Sequence, residues 1–518
     1  MSSTTSSPRR IEKVSSDNIV IGFDLLSNLT YMWVLSLGGL PRDQVLENCS
    51  RQRLKTAVFF DYIYTLAKRL GLEYTQAFQI VSEKAKASNV KSLLLRFAAS
   101  ISSGESERDF IAEEARIEGE RYANEYERSV ENLRKWTDAY AAIMVSVTLI
   151  MVVSLVSTMM GSLSQNFIVI MALTLLFITS IGVYVIYKVA PVEQMTYDTR
   201  QGTTRERRMA RFLLLTLAPM GVILALLLGP QLDLLVGFSV GFLLIGASLL
   251  PAGFYAWKDD ANMTKLDSEF PIFLRSVGNV AGAAGVTLTE SLRRIDTRSL
   301  GSLEPYISRL RVRLGARLPT RECWEKFREE TGSELVNRTT HMLVDGSELG
   351  GTPDRVGMIC SEYAQRVVQL RAKRRLTAST FSFLSVPMHA TMSFILLFVL
   401  GIITNFSSKL AEASGSVLQT ADHKLPIPEN FQLPPGVSVP TARELGAGLD
   451  IFGTQDMALV SYMIILVIII LTVANSLAPK FAAGGSNLKI VSFLSMMCIV
   501  SGAILGIVPL LTSALFSI

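Results

Sequence analysis

The residues of this sequence best placed to do chemistry are cations in two tight runs. One is Arg205-Glu-Arg207-Arg208 with Arg211, and the other is Arg371-Ala-Lys373-Arg374-Arg375. A guanidinium fork pairs with a carboxylate or a phosphate through two parallel hydrogen bonds. Each run lies directly beside a long apolar stretch, so two occupants fit: anionic lipid headgroups, at roughly 1 kcal/mol per basic residue near the surface, and an acidic face on a cytosolic partner. Nucleic acid fits poorly, because no aromatic side chains are interleaved for stacking. Only Glu206 stands among the four arginines of the first run. A loop this short is expected to turn its guanidinium groups outward.

Other chemistry is sparse. No GxxxxGK[ST] loop occurs, and the glycine-rich patches lack the lysine and hydroxyl that would cradle a nucleotide. The four cysteines (Cys49, Cys323, Cys360, Cys498) have no CxxC spacing, and His341, His389 and His423 are far apart. That pattern carries neither a disulfide framework nor a metal centre. No catalytic residues and no cofactor are therefore expected, and the chain reads as a non-enzyme. The carboxylates of Asp345-Gly-Ser-Glu348-Leu-Gly-Gly351 lack the alternating ligands of a calcium loop and read as a helix end and turn. Pro387 and His389 have two readings: a neutral imidazole satisfying a carbonyl freed by the proline, and a contact for a passing hydrophobic helix.

The elements that must position these groups are membrane spans. Apolar residues make up 49% of the 518 and charged residues only 18%, which excludes an ordinary soluble enzyme. Seven runs of about 20 residues or more are free of Asp, Glu, Lys and Arg. They are Ala139 to Met159, Phe167 to Tyr187, Phe212 to Pro230, Leu234 to Trp257, Ala378 to Ser408, Met457 to Pro479 and Ile490 to Ile518. The last is long enough for a hairpin as well as for a single span. The run Leu25 to Leu40 is shorter and more polar, and is left out of the membrane. Lys and Arg outnumber Asp and Glu by 6 to 3 in residues 188–211 and by 20 to 16 in 258–377, whereas 405–456 carries 3 against 6. By the positive-inside rule the first two segments and residues 1–138 are cytoplasmic, the third is external, and the C-terminus emerges outside.

This gives a disordered lead over 1–16, a cytoplasmic helical bundle over 17–138, and four spans over 139–257 enclosing the cytoplasmic loop 188–211. A second cytoplasmic bundle follows over 258–377, then a span over 378–408, an external proline-rich loop over 409–456 and two spans over 457–518. The two bundles resemble each other. Gly71-Leu-Glu-Tyr-Thr75-Gln-Ala-Phe78 parallels Gly285-Val-Thr-Leu-Thr289-Glu-Ser-Leu292, where glycine can end one helix and threonine cap the next. Glu125-Tyr126-x3-Val130-x2-Leu133-Arg134 parallels Glu362-Tyr363-x3-Val367-x2-Leu370-Arg371. Apolar residues at helical spacing (Phe60, Ile63, Leu66, Ala67; Phe270, Phe273, Leu274, Val277) predict an all-α integral membrane protein with two repeated bundles whose last helices run on into the bilayer.

Several motifs then fall together: Phe270-Pro-x2-Leu274, Ala281-Gly-x2-Gly285-x-Thr287-Leu288, Leu314-Gly-x-Arg317-Leu318, Cys323-Trp324-x2-Phe327, Glu330-Thr-Gly-Ser333, Gly346-x-Glu348-Leu-Gly-Gly351 and Pro387-Met-His389. In these the chain resembles the type II secretion system F family, the inner-membrane platforms of type IV pili. Four spans between the copies, in place of one, resemble its archaeal branch, which serves the archaellum and related pili. The resemblance implies a non-catalytic platform, working as a homodimer, between a hexameric cytosolic secretion ATPase and pilin or archaellin subunits. Within that expectation, the concentration of positive charge makes the two basic runs the candidates to meet the ATPase, and Pro387 and His389 are the candidates to meet a pilin helix. The rival readings are a transporter or channel, which would need polar pathway residues in the spans, and a membrane-tethered sensor.

The charge asymmetry generates a first prediction. In intact cells, a membrane-impermeant thiol reagent is expected to label a cysteine introduced near Pro434 and to miss one near Arg298; the reverse pattern would invert the topology.

Overall fold

A computed structural model of the chain describes residues 19–159, 165–199, 202–420 and 457–516. The lead expected over 1–16 lies outside the described residues, as does most of the proline-rich segment. Before the first long apolar helix come α1 (Ile19–Ser36), α2 (Arg42–Ser50), α3 (Ala57–Arg69), α4 (Tyr74–Lys84) and α5 (Ser88–Ser103). Then follow α6 (Glu107–Met159), α7 (Gln165–Val189), α8 (Arg205–Leu228) and α9 (Leu234–Ala284). The second segment adds α10 (Leu288–Arg294), α11 (Glu304–Gly315), α12 (Thr320–Thr331), α13 (Glu334–Glu348) and α14 (Pro353–Thr420), before α15 (Met457–Ala483) and α16 (Lys489–Phe516). Helices α6, α7, α8, α9, α14, α15 and α16 are long and apolar enough to cross a membrane, one for each of the seven runs. The fold is that of an all-α membrane protein.

One expectation changes and one is met. Helix α14 continues to Thr420, past the expected start of a loop at 409, whereas the run from Ile490 is, as the count of seven spans requires, one helix as far as Phe516, with Pro509 inside it. Three of the spanning helices also extend well beyond the bilayer. At 1.5 Å per residue, α6, α9 and α14 (53, 51 and 68 residues) are about 80, 77 and 100 Å long, against a hydrocarbon thickness of about 30 Å.

The excess length enters a helical head. Buried apolar residues from Ile21 to Val130 and from Leu266 to Leu370 form one contiguous cluster, so the two segments expected as separate bundles share a single core. The reason is α1. Every residue from Ile21 to Met32 is buried, and a helix that is covered all round needs partners on all sides. It finds them in α6 from the first segment and in α13 and α14 from the second. The Leu25 to Leu40 run thus begins inside the head core. The parallel between the segments holds at the glycines, since Gly71 (φ +70°) and Gly285 (φ +61°) both end a helix in the left-handed region. It fails at the caps. Thr287 accepts a hydrogen bond from the Glu290 amide, whereas α4 starts at Glu73 with no side-chain cap and Thr75 lies inside it.

A second apolar cluster begins at Leu133 and Ala378, just past the end of the first, and fills the span bundle. Its tightest contact, α9 on α16, uses small residues and hydroxyls in place of large side chains. A Cβ on Gly253 would come within 2.9 Å of the Ser492 Cα. Ser239 and Ser495 donate across the pair to the carbonyls of Gly502 and Gly246 at 2.7 and 2.8 Å. Close backbone approach and interhelical hydrogen bonds replace the hydrophobic effect, which is absent between helices already in lipid.

In the head, α9 and α14 cross at Gly278 and Gly357, where a Cβ on Gly278 would lie 2.5 Å from the Pro353 carbonyl oxygen. Gly278→Ala is therefore expected to cost about 1–3 kcal/mol, because helix backbones on both sides cannot yield. Gly315→Ala, which meets open space, serves as control. Melting of the purified protein in detergent should drop for the first variant and hold for the second.

Candidate functional site

The site is the seam where the head core ends and the span core begins. Residues 190–199, which follow α7, are laid against it. The Tyr197 amide donates to the Gly332 carbonyl at 2.8 Å and the Glu334 amide to the Met195 carbonyl at 3.0 Å. Thr196 thereby pairs with Ser333 as an antiparallel bridge on the turn between α12 and α13. Gly332 makes that turn at φ +63°. This stitching brings Glu193 to α14. Arg371 donates to Glu193 through Nε at 2.8 Å and through a terminal nitrogen at 2.5 Å, and its other terminal nitrogen reaches Asp267 of α9 at 2.6 Å. The second Asp267 oxygen accepts the Ser333 hydroxyl. Four elements thus meet on one buried guanidinium. Burial opposes the Arg371 charge, but Glu193 and Asp267 outweigh it and hold its pKa above the ordinary value. Burial also pushes the Asp267 carboxyl up, against the pull of Arg371.

Two further arginines turn inward beside it. Arg207 donates through Nε to Asp259 of α9 at 3.0 Å and to the Tyr197 carbonyl at 3.2 Å; Thr204, the N-cap of α8, donates to the other Asp259 oxygen. Arg374 has no carboxylate among the described residues. It donates to the carbonyls of Ala482 at 2.9 Å, Phe481 at 3.1 Å and Pro191 at 2.7 Å. The first two are among the last carbonyls of α15, which lack partners within their own helix and carry its negative dipole end. Deeper in the head core, Arg338 is held between Asp24 of α1 at 2.8 Å and Glu334 at 2.9 Å, over the ring of Phe23.

The expectation that the basic runs face outward is therefore corrected for Arg207, Arg371 and Arg374, which are buried and internally paired and offer nothing to an outside partner. Arg205 and Arg208 are exposed and hold no carboxylate among the described residues. Arg211 pairs with Asp198 and Lys373 with Glu127, while Arg375 is exposed and donates to the Thr264 hydroxyl. The sequence held a signal for this: Arg371 and Arg374 fall on the helical face of Val367 and Ala378, the apolar side of the stalk. The carboxylates Glu193, Asp267 and Asp259 were not singled out from sequence, because they lie on the loop before α8 and on α9, far along the chain from Arg371.

His389 also differs from both of its expected roles. It is fully buried, so no passing helix can reach it. Its ring contacts Ser501 of α16 at 2.8 Å and Asn475 of α15 at 3.3 Å, not a carbonyl left free by Pro387. Ser501 continues to Thr472 at 2.7 Å, and Asn475 accepts from the Tyr140 hydroxyl at 3.2 Å. This network is neutral in composition and joins α6, α14, α15 and α16. Pro387 is exposed on an apolar groove of about 770 Å³ between α6 and α14. The Asp345 to Gly351 segment is a helix end and turn: α13 stops at Glu348, Gly350 takes φ +100°, and Asp345 accepts the Tyr31 hydroxyl of α1 at 2.7 Å.

No family model matches the chain. It is similar to Flagella accessory protein J of Methanococcus voltae, with 22% identity over 501 residues covering 94% of this chain and 84% of that protein. It is also similar to Flagella accessory protein J of Methanocaldococcus jannaschii, with 23% identity over 360 residues covering 67% of this chain and 63% of that one. No solved structure matches.

The seam makes a testable demand. Arg371→Met would strand two buried carboxylates and is expected to cost about 3–5 kcal/mol. Adding Glu193→Gln and Asp267→Asn to it should restore much of the loss, as read by thermal unfolding in detergent; a neutral single variant would remove the seam from the account of stability.

Proposed function

We propose that this protein is the non-catalytic membrane platform of an archaellum or related type IV pilus machine. Its head faces the cytosol, meets a hexameric secretion ATPase, and passes that enzyme's conformational cycle to pilin or archaellin subunits moving from the bilayer into the filament. The platform works through binding and force transmission, as a homodimer in the cell membrane. The similarity to the two flagella accessory proteins over most of the chain supports the machine. The observation that carries the mechanism is that α6, α9 and α14 run without interruption from the head core into the span core. A displacement of the head then has a continuous helical path into the spans, with Pro251 and Pro271 in α9 and Pro387 in α14 as its points of bending. Three buried arginine assemblies at the seam tie the loop and α15 to those rods.

Within this reading the ATPase contact uses the cations that remain outside. Arg205 and Arg208 start α8 and point away from the seam, so they can pair with carboxylates of a partner, individually at about 0–1 kcal/mol. Pro387 and the groove between α6 and α14 are the surface for the pilin helix. The test separates surface from seam. Arg205→Glu with Arg208→Glu is expected to abolish filaments and to weaken co-purification of the ATPase, with protein level and melting temperature unchanged. Arg207→Glu should instead lower the protein level. ATPase binding unaffected by the double variant would move the contact elsewhere on the head, toward Arg309, Arg311 and Arg313.

A further inference from the structure

A cavity of about 830 Å³ opens between α9, α14 and α16 on the span side of the seam. Its two ends differ in chemistry. Toward the spans it is walled by Leu250 and Phe254 of α9 and by Met496 and Ile499 of α16, and Leu250 and Phe254 are 50% and 54% exposed. Trp257, also exposed, stands one turn further toward the head, the depth at which tryptophan marks a membrane interface. Toward the head it is lined by Lys265, Arg371, Arg375 and Lys489, with the carboxylates of Asp260 and Asp267.

The charges do not cancel. Asp267 is taken by Arg371 at 2.6 Å, and Asp260 by Lys489 at 2.6 Å. Lys265 and Arg375 are left, both exposed and both without a carboxylate among the described residues; Arg375 donates to the neutral Thr264 hydroxyl. A ligand that satisfies this cavity carries an anionic oxygen cluster at one end and a hydrocarbon chain at the other. We propose that the cavity binds one anionic membrane phospholipid, with its phosphate at Lys265 and Arg375 and a chain along Leu250, Phe254 and Met496. Basic pockets between spanning helices hold phospholipid headgroups by the same division of labour. A free phosphate would leave the apolar wall uncovered, and a neutral lipid would leave the two cations unmatched. The bound lipid would bridge α9, α14 and α16 where the head meets the bilayer. The inference rests on the spans and the cavity alone, not on the partner machine.

The experiment uses the purified full-length protein in detergent, with bound lipid counted by native mass spectrometry. Diphytanoyl phosphatidylglycerol is expected to bind saturably with one molecule per chain, and diphytanoyl phosphatidylcholine at least tenfold more weakly. Lys265→Ala with Arg375→Ala should lower phosphatidylglycerol affinity at least tenfold with little change in the lipid-free melting temperature, since both side chains are exposed and the double variant costs one exposed hydrogen bond, from Arg375 to Thr264. Leu250→Trp, which fills the apolar end and leaves the cations in place, should also lower it. Equal binding of the two lipids, or undiminished phosphatidylglycerol binding by the double variant, would overturn the assignment. Displacement of the lipid by millimolar inorganic phosphate would reassign the cations to a free anion and likewise overturn it.

Discussion

A positive charge that cannot be given up, buried where two apolar cores meet, is the constraint on which this structure depends. Arg371 stays protonated at any pH the cell presents, so its burial requires anions brought to it. Glu193 arrives from the loop before α8 and Asp267 from α9, while Ser333 completes the second carboxylate. Such an assembly is a weak source of net stability, because desolvation consumes most of the Coulombic gain. Its effect is selective: any arrangement that misplaces the loop leaves a bare charge in a dry interior. Arg207 and Arg374 apply the same condition to α8 and α15, the latter through helix-end carbonyls in place of carboxylates.

Those conditions explain why the molecule divides as it does. Head and spans are each held by ordinary apolar packing, and their clusters stop within a few residues of each other on α6 and α14. Between them lies a narrow band where neither the hydrophobic effect nor lipid exclusion provides cohesion. Polar chemistry does so there, through salt bridges, capped carbonyls and one short antiparallel bridge. The neutral hydroxyl, amide and imidazole network deeper in the spans answers the same need without a formal charge, as suits a site further from water.

The seven spans were legible in the sequence because a hydrocarbon slab imposes one coarse rule, about 20 uncharged residues. The left-handed glycines at 71 and 285 were legible for a similar reason, since few other residues tolerate that backbone. The shared head core was not: α1 looks like a weak span or a loose helix until partners from two segments 200 residues apart enclose it. The basic runs misled more sharply. A count of charge places Arg207, Arg371 and Arg374 on a surface; the helical period, followed past Val367 to Ala378, puts the last two on the buried face. Their acidic partners come from segments with no local pattern, and Arg374 pairs with backbone, which no pattern of residue types reveals. His389 was flagged by its neighbour Pro387, yet its partners lie on other helices.

Helix α14 has a geometric consequence of its own. A rod about 100 Å long, pinned near residue 371 within its first third, is a lever with unequal arms. From Arg371 to Thr420 the long arm measures about 74 Å at 1.5 Å per residue, and from Pro353 the short arm about 27 Å. A tilt that shifts the short end by about 2 Å sweeps the far end through roughly 5 Å, one full helical turn of rise. For a rigid tilt about that point, the position of one arginine along one helix sets the ratio between the movement of the head end and that of the far end.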